Sequence, residues 1–591
     1  MENLDIARTL QETADLLEIQ GANPFRIRAY RNAVRTVEAL TRSLEDMVEA
    51  EEDLTELQGV GKEMDAHIRE LLQTGQLSTL NAVTEEIPRT LVGLTRLDGV
   101  GPKKAKRLYD ELGVESVEGL QSEIEKGTVQ ALKGFGARSA EKMLRAIDDH
   151  HKQQGRFLRS EVAPYVASLL SWMETASGVD RLAVAGSWRR GKETIGDLDL
   201  LASCDGDGTP VVEHFTRFEG AVRIEASGST KGNIVLRSGL SVDLRVVPPA
   251  SFGAALHYFT GSKEHNVHIR TLGVKRQLRI NEWGVFEVPE GVDPADVAKD
   301  EGVRRGGATE EEVFAALDLV WIPPELREDR GEVDAAREGR LPDLLGIEDL
   351  RGDLHMHSTW TDGQASILEM AEACVSRGYA YMAITDHSKA VTMVGGLTPD
   401  RVRAQWTEIA EVQEQVGGSI RILRGQEVDI LKDGSLDQPD EILDGLDVVV
   451  ASVHSFMDMD RATMTARIVR AIEHGGVDIL GHATGRLLGR REPYPLDVDA
   501  VLAACAEHDV AVEINAHPRR LDLNDRYLAR ARERGVKVVV NSDAHAVRGL
   551  DVMHFGVQQA RRAWLGPEHV LNTRPTDELV GWLDRRRRRA S

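Results

Sequence analysis

The stretch Ala185-Gly186-Ser187-Trp188-Arg189-Arg190-Gly191-Lys192-Glu193-Thr194-Ile195-Gly196-Asp197-Leu198-Asp199-Leu200 decides how this chain is read. An apolar run at 181–185 leads into it and predicts a buried strand. Gly186-Ser187 breaks that strand, and backbone amides at such a turn can cradle a phosphate. A second strand carries Asp197 and Asp199. Alternate strand residues share a face, so the two carboxylates project together. Like charges that close are costly unless a cation lies between them. Leu198 and Leu200-Leu201 make the pair part of a half-buried strand rather than a solvated acidic loop. The stretch therefore predicts metal-dependent nucleotidyl transfer.

Further along, Ser241-Val242-Asp243-Leu244-Arg245-Val246-Val247 alternates as a strand and sets Asp243 and Arg245 on one face. Asp197, Asp199 and Asp243 could hold two divalent cations about 3.5–4 Å apart. Oxygen-only ligands suit Mg²⁺ or Mn²⁺. Ser187 and Arg190 would hold phosphate oxygens, and Arg245 would steady the carboxylates.

At 591 residues the chain calls for several compact units, and 41% apolar content makes them globular. No apolar run is long enough for a bilayer, and the N-terminus lacks a signal-peptide pattern. Cys204, Cys374 and Cys505 lie far apart without a CxxC, which fits small core residues in a reduced cytoplasm. A net charge of −24 argues, taken alone, against nucleic acid. Local patches and metals can supply the positive field instead.

The first 150 or so residues are expected to be helical. Ile6, Leu10, Ala14 and Leu17 mark an amphipathic helix, and Phe25, Ala29, Ala33 and Val37 mark a second. A small element then recurs around Gly59/Gly61, Gly99/Gly101 and Gly134/Gly136, each Gly-apolar-Gly followed by a helical pattern. Such a hairpin lets backbone approach a ligand and aims helix N-terminal amides at it. The second copy adds Pro102 in the first helical turn and Lys103, Lys104, Lys106 and Arg107 beside it. This resembles the helix-hairpin-helix element, which grips DNA phosphates without reading sequence.

With the Gly186–Leu200 stretch, the VDLRV strand and Tyr258-Phe259-Thr260-Gly261-Ser262 in this order, residues up to about 320 resemble the family X DNA polymerases. The resemblance implies a helical N-terminal region, then fingers, palm and thumb, adding deoxynucleotides templated at short gaps in DNA. Gly186, Ser187 and Arg190 would bind the nucleotide. Tyr258 and Phe259 would line the sugar pocket, with Gly261 in the same turn. Asn266 would contact the incoming base and Arg270 the template strand. In members with deoxyribose-phosphate lyase activity a lysine follows the first hairpin. His67 occupies that position here, one turn after Lys62, and an imidazole cannot form that imine as a lysine amine does, so the sequence leaves lyase activity open.

The second half carries a different chemistry. Asp353-Leu354-His355-Met356-His357 places two histidines at i, i+2 on one strand face, a spacing suited to a shared metal. Asp362, Asp386-His387, Glu427, His454, His482, Asp543 and His545 follow at the ends of successive apolar runs separated by helical patterns. Such βα repetition predicts a barrel or doubly wound sheet with its site on the βα loops. Residues 346–575 resemble the PHP (polymerase and histidinol phosphatase) family. That resemblance implies a distorted seven-stranded barrel, a site for up to three ions (Mn²⁺, Zn²⁺ or Fe), and hydrolysis of phosphodiesters or phosphomonoesters. It places His355, His357, Glu427 and Asp543 around one metal. Glu427 would bridge to a second with His454 and His482, and Asp362, His387 and His545 would take the third.

The expected architecture is multidomain: a helix-hairpin-helix region at 1–85 and 86–155, an α+β nucleotidyltransferase palm at 156–250, a thumb at 251–322, a Pro-containing joining segment at 323–345, a (β/α)7 PHP barrel at 346–575 and a basic tail at 576–591. The expected activity is gap-filling DNA repair synthesis from dNTPs on gapped or primer-template DNA, in the cytoplasm at the nucleoid. The PHP half would supply 3′-5′ exonuclease and abasic-site endonuclease activity. The rival reading fuses a nucleotidyltransferase to a small-molecule PHP phosphatase. A DNA-binding scaffold without chemistry would require lost ligands, and none is missing from either set.

Overall fold

The spacing of Ile6, Leu10, Ala14 and Leu17 produces helix Asn3–Gln20, with all four side chains buried. In the second helix, Pro24–Ala39, the inward face is Ile27, Tyr30, Ala33, Val34 and Val37. Phe25, expected on that face, is 77% exposed because it falls in the first turn, off the buried stripe. The coordinates are a computed structural model describing residues 3–39, 44–57, 59–95, 97, 99–153, 155–294, 298 and 301–590. Backbone contacts divide the chain into two compact units. One is residues 1–156 with 237–239 and 489–491, and the other is the remainder.

The first unit repeats one turn three times. Gly59, Gly99 and Gly134 have φ of +85°, +83° and +90°, a region that favours glycine. Each is followed by a helix, Lys62–Thr74, Pro102–Leu112 or Ala137–Gln153. Gly61 and Gly101 cap the first two of these. His67 is held by both ring nitrogens: Nδ1 lies 3.0 Å from the Tyr30 hydroxyl and Nε2 3.3 Å from Thr79 Oγ1. Burial lowers its pKa, so the imidazole is a neutral packing element stacked on Tyr30.

The second unit opens with a five-stranded sheet: β1 (Arg181–Val184), β2 (Asp197–Ser203), β3 (Ala221–Ser227), β4 (Lys231–Leu236) and β5 (Ser241–Val247). Their order is β1-β2-β5-β4-β3, with β2 and β5 parallel. The run expected as a buried strand, β1, is a half-exposed edge of the sheet, hydrogen-bonded to β2 along one side. Three antiparallel strands, Leu278–Asn281, Gly284–Glu287 and Val303–Gly306, form a second small sheet. Its core continues into the Pro-containing segment. Leu326, Val333 and Ala336 pack with Ile280, Val285 and Phe314, so residues 323–345 are built into this core rather than strung between domains.

Among the described residues Arg327 is the largest fully buried side chain. Its guanidinium donates to both Glu310 oxygens, at 2.6 and 3.1 Å, and Arg189 donates to the same carboxylate at 2.7 Å. Burial opposes the Glu310 charge, but the two arginines outweigh it and hold the carboxyl well below its usual range. Glu310→Gln takes the facing counter-charge from the buried Arg327 guanidinium and the half-buried Arg189 guanidinium. It is expected to cost about 3–5 kcal/mol, read as a fall in the chemical-denaturation midpoint.

Seven parallel strands follow: β6 (Gly352–Met356), β7 (Tyr381–Ile384), β8 (Arg421–Asp429), β9 (Val448–Ser452), β10 (Ile479–Leu480), β11 (Ala511–Asn515) and β12 (Val538–Asn541). They pair in sequence order. Hydrogen bonds from Asp543 N to His355 O and from His357 N to Ala544 O bring the last strand's end back to the first. Leu354, Ala383, Val450 and Ile479 fill the interior. Leu579, Trp582 and Leu583 of the final helix, Thr576–Ala590, join that core. The segment expected as a basic tail thus begins as part of the barrel, although the side chains of 585–590 lie outside the described residues.

Candidate functional sites

At the first site, β2 and β5 lie side by side in parallel, and their register sets Asp199 opposite Asp243. Asp197 lies two residues earlier on the same face of β2. Burial, then the neighbouring Asp197 and Asp243 carboxylates, push the Asp199 carboxyl up to about 7 against Arg190 and Arg245. A cation among the three would remove that repulsion, which is how the donor set fits Mg²⁺ or Mn²⁺. Lys231, which the sequence reasoning passed over, reaches to 3.6 Å from Asp243 Oδ1. Arg245 lies 5.4 Å from the centre of the Phe259 ring.

Gly186 opens the short helix Gly186–Arg189 with φ +61°. A Cβ there would stand 2.0 Å from Asp199 Oδ2, so only glycine lets the turn approach the carboxylate. Gly186→Ala is expected to lower kcat for extension about 100-fold by displacing Asp199, with a fall of a few degrees in melting temperature (~1–3 kcal/mol) from the strain at positive φ. Ser187 Oγ is buried without a hydrogen-bond partner and is free for a phosphate oxygen. Arg190 is already engaged: Nε donates to Glu328 Oε1 at 3.1 Å, and Nη1 to the Thr260 carbonyl. Gly261 follows the helix Phe252–Thr260 with φ +65°, its absent Cβ 3.2 Å from Arg190 Nη1. Tyr258 and Phe259 meet edge to face, ring centres 5.2 Å apart. Asn266 donates to the Tyr258 carbonyl at 2.7 Å and leaves its own Oδ1 unpaired. Arg270 lies one turn further along the helix Lys263–Val274.

At the second site, the expected donors gather at the C-terminal ends of the barrel strands. Three groups have donor atoms close enough to share an ion: His357, Asp362, His387 and His545; His355, His357 and Asp543; and His387, Glu427 and His454. The structure therefore joins Glu427 to His387 as well as His454, whereas the sequence reading assigned His387 only with Asp362 and His545. His482 stands outside these groups, but its Nε2 is 3.0 Å from Glu427 Oε1. His355 Nε2 and both nitrogens of His357 are buried and make no hydrogen bond. Buried, unpartnered imidazole nitrogens among carboxylates are a donor set for a metal.

Carboxylates outside the expected set orient these rings. Glu513 Oε1 lies 2.6 Å from His355 Nδ1, which directs Nε2 into the site. Asp429 Oδ1 lies 3.1 Å from His454 Nδ1 and directs that ring toward Glu427. Asp386, by contrast, accepts from Ser358, Thr361 and Gln405 and holds the loop. Glu513 had one sequence signal, a lone acid in the apolar strand Ala511–Asn515. Arg520 was also missed; its Nε lies 3.4 Å from Asp543 Oδ2.

The electrostatics divide the histidines. Burial opposes charge on every ring. For His387 and His454 the Glu427 carboxylate outweighs it, lifting them to about 10 and about 9. His357 is buried and crowded by His545 and His387, which keeps it neutral down to about 3. Bound cations would displace the protons that Glu427 and Asp543 otherwise keep on their neighbours.

One chain thus joins a carboxylate nucleotidyl-transfer centre to a barrel with a multi-cation hydrolytic centre, and it also carries a hairpin-repeat helical unit. Residues 1–77 match the helix-hairpin-helix domain family and 92–149 the SAM-like helix-hairpin-helix tandem. Residues 255–328 match the DNA polymerase beta thumb and 353–517 the PHP domain. The chain is 38% identical over 587 residues, 99% of its length and 100% of the relative's, to the "DNA polymerase/3'-5' exonuclease PolX" of Bacillus subtilis. Its barrel half alone is 31% identical to a probable phosphatase of Thermoanaerobacter sp. (37% of this chain, 89% of that protein) and to the probable phosphatase YcdX of Escherichia coli (40% and 94%). The chain belongs to the bacterial family X DNA polymerases that carry a C-terminal PHP domain.

Proposed function

We propose that this protein fills short gaps during DNA repair and trims 3′ ends in the same chain. The observation that carries the reading is the Asp199–Asp243 pair beside Gly186, with Ser187 Oγ unpartnered at the same turn. Asp197, Asp199 and Asp243, and the barrel cluster, would hold divalent cations, which would supply charge neutralisation for phosphoryl transfer at one centre and phosphodiester hydrolysis at the other. Ser187 and the amides of its turn bind the triphosphate. The Tyr258 and Phe259 rings wall the sugar pocket against a 2′-hydroxyl, and Asn266 Oδ1 meets the base edge. Arg270 supports the template strand, and the three hairpins at Gly59–Gly61, Gly99–Gly101 and Gly134–Gly136, with Lys103 and Lys104, hold DNA phosphates. At the barrel, Glu513 and Asp429 keep His355 and His454 aimed, and Arg520 offsets the charge of the scissile phosphate. Mg²⁺ or Mn²⁺ suits the all-carboxylate site, and Mn²⁺, Zn²⁺ or Fe suits the mixed one. The helix-hairpin-helix limits 1–85 and 86–155, the palm at 156–250 and the barrel from 346 belong to this reading, as do abasic-site endonuclease activity and a cytoplasmic, nucleoid-associated location. Among the described residues no helix is long and apolar enough to cross a membrane.

The test is a labelled gapped duplex with Mg²⁺ or Mn²⁺. Extension is expected with dNTPs, and shortening from the 3′ end without them. The partial similarity to probable phosphatases favours a second reading, in which the barrel acts on small monoesters. Faster phosphate release from a small monoester than dNMP release from a 3′ end would select it.

A further inference from the structure

Glu193 closes the loop that begins at Gly186, yet its carboxylate bonds two residues of the barrel half, Arg486 and Gln559. Arg486 donates from Nη2 to Glu193 Oε1 at 2.5 Å and from Nη1 to Oε2 at 3.3 Å. Gln559 Nε2 adds a third bond, also at 2.5 Å. The same guanidinium holds a second segment: Nε donates to the Arg520 carbonyl at 3.0 Å, and Nη2 to the Leu521 carbonyl. Arg520 is the residue whose own side chain reaches Asp543, and Arg486 itself lies four residues after His482. Arg486 is 7% exposed, and burial of its charge is offset chiefly by Glu193. A second arginine repeats the arrangement. Arg562 donates to the Arg190 carbonyl at 2.7 Å and to Glu328 at 3.0 Å, the carboxylate that also holds Arg190 and Lys192.

A planar fork that bonds a carboxylate on one edge and two carbonyls on the other fixes both segments to one rigid group. If the fork moves, both move. We propose that Arg486, with Glu193, is a positioning pair shared by the two centres: it locks the triphosphate loop 186–193 to the turn that aims Arg520 at the barrel cluster, so that disturbing either loop is felt at the other. The inference rests on the two-centre reading above, but its first measurement does not.

That measurement is amide hydrogen exchange on the full chain. Glu193→Gln removes the charge on the polymerase side without touching the barrel, and is expected to speed exchange in 519–523 about tenfold. Arg486→Lys, which keeps charge but loses the fork, is expected to speed exchange in 186–193 by a similar factor. Exchange changes confined to the segment carrying the substitution would overturn the proposal, whether or not the protein copies DNA. The kinetic arm measures each activity separately. Glu193→Gln is expected to raise the dNTP KM about fivefold with kcat nearly unchanged, and to slow degradation of a single-stranded 3′ end about threefold. The double reversal Glu193→Arg with Arg486→Glu cannot restore the carbonyl contacts, so it should recover dNTP KM better than 3′ degradation. A merely structural pair would instead lower the active fraction, with kcat of both activities falling together and neither KM moving. A failed gap-filling test with coupled exchange intact would sink the functional reading and leave the pair standing.

Discussion

Asp243→Ala is expected to abolish extension of a gapped primer, by at least about 10³-fold in kcat, while 3′ shortening continues near the parent rate. The approach of Lys231 Nζ to Asp243 at 3.6 Å, which alanine loses, is half-exposed and contributes little to stability. Asp243 is one of three carboxylates on adjacent strands, and its register opposite Asp199 makes the pair a cation site. Removing it relieves part of the repulsion that raises Asp199, so the fold should hold or gain slightly in stability without metal. The loss would then be chemical rather than structural, and a calorimetric melt beside the primer assay separates the two. Extension that survives at more than a few per cent would show that the carboxylate is wrongly assigned.

Glu427→Gln is expected to do the reverse. Degradation of a 3′ end should fall by about 10³-fold or more and extension should remain. Glu427 is buried, with imidazole nitrogens of His387, His482 and His454 at 2.8, 3.0 and 3.3 Å. Glutamine keeps the volume but removes the anion that several cations would share. Bound-metal analysis of the purified protein should show at least one ion fewer, which is a readout independent of catalysis. The paired imidazoles also lose the largest of the charges that raise His387 to about 10 and His454 to about 9, so both pKa values fall, while Asp362 and Asp429 stay beside them. Unchanged metal content together with unchanged degradation would place the hydrolytic centre elsewhere.

The legible parts of this chain are those whose chemistry is written in short spacings. Asp197 and Asp199 at i, i+2 and His355 and His357 at i, i+2 need only the period of a strand to share a face. The three hairpin glycines announced their positive φ because the turn tolerates little else. Burial was less legible. Phe25 fits a helical stripe yet faces solvent, and β1 reads as a core strand yet forms an edge, since what covers an element is decided by distant sequence. The segment 323–345 has the proline and charge of a linker, but Arg327 finds Glu310 and becomes core. Glu513 and Asp429 were passed over because a carboxylate that orients a histidine ring keeps no fixed spacing from it in sequence; the lone acid in the strand Ala511–Asn515 does not say which ring it holds.

By itself the sequence determined the inventory: three aspartates for a hard cation, nine mixed donors for a second centre, and hairpins for a phosphate backbone. Those follow from residue type and near-neighbour spacing, which the chain carries wherever it folds. Only the tertiary structure decided which donors share an ion, with His387 placed between Asp362 and Glu427. It alone joined Glu193 to Arg486 across 293 positions. Such contacts depend on how sheet and barrel pack, a balance of burial and charge summed over the whole unit.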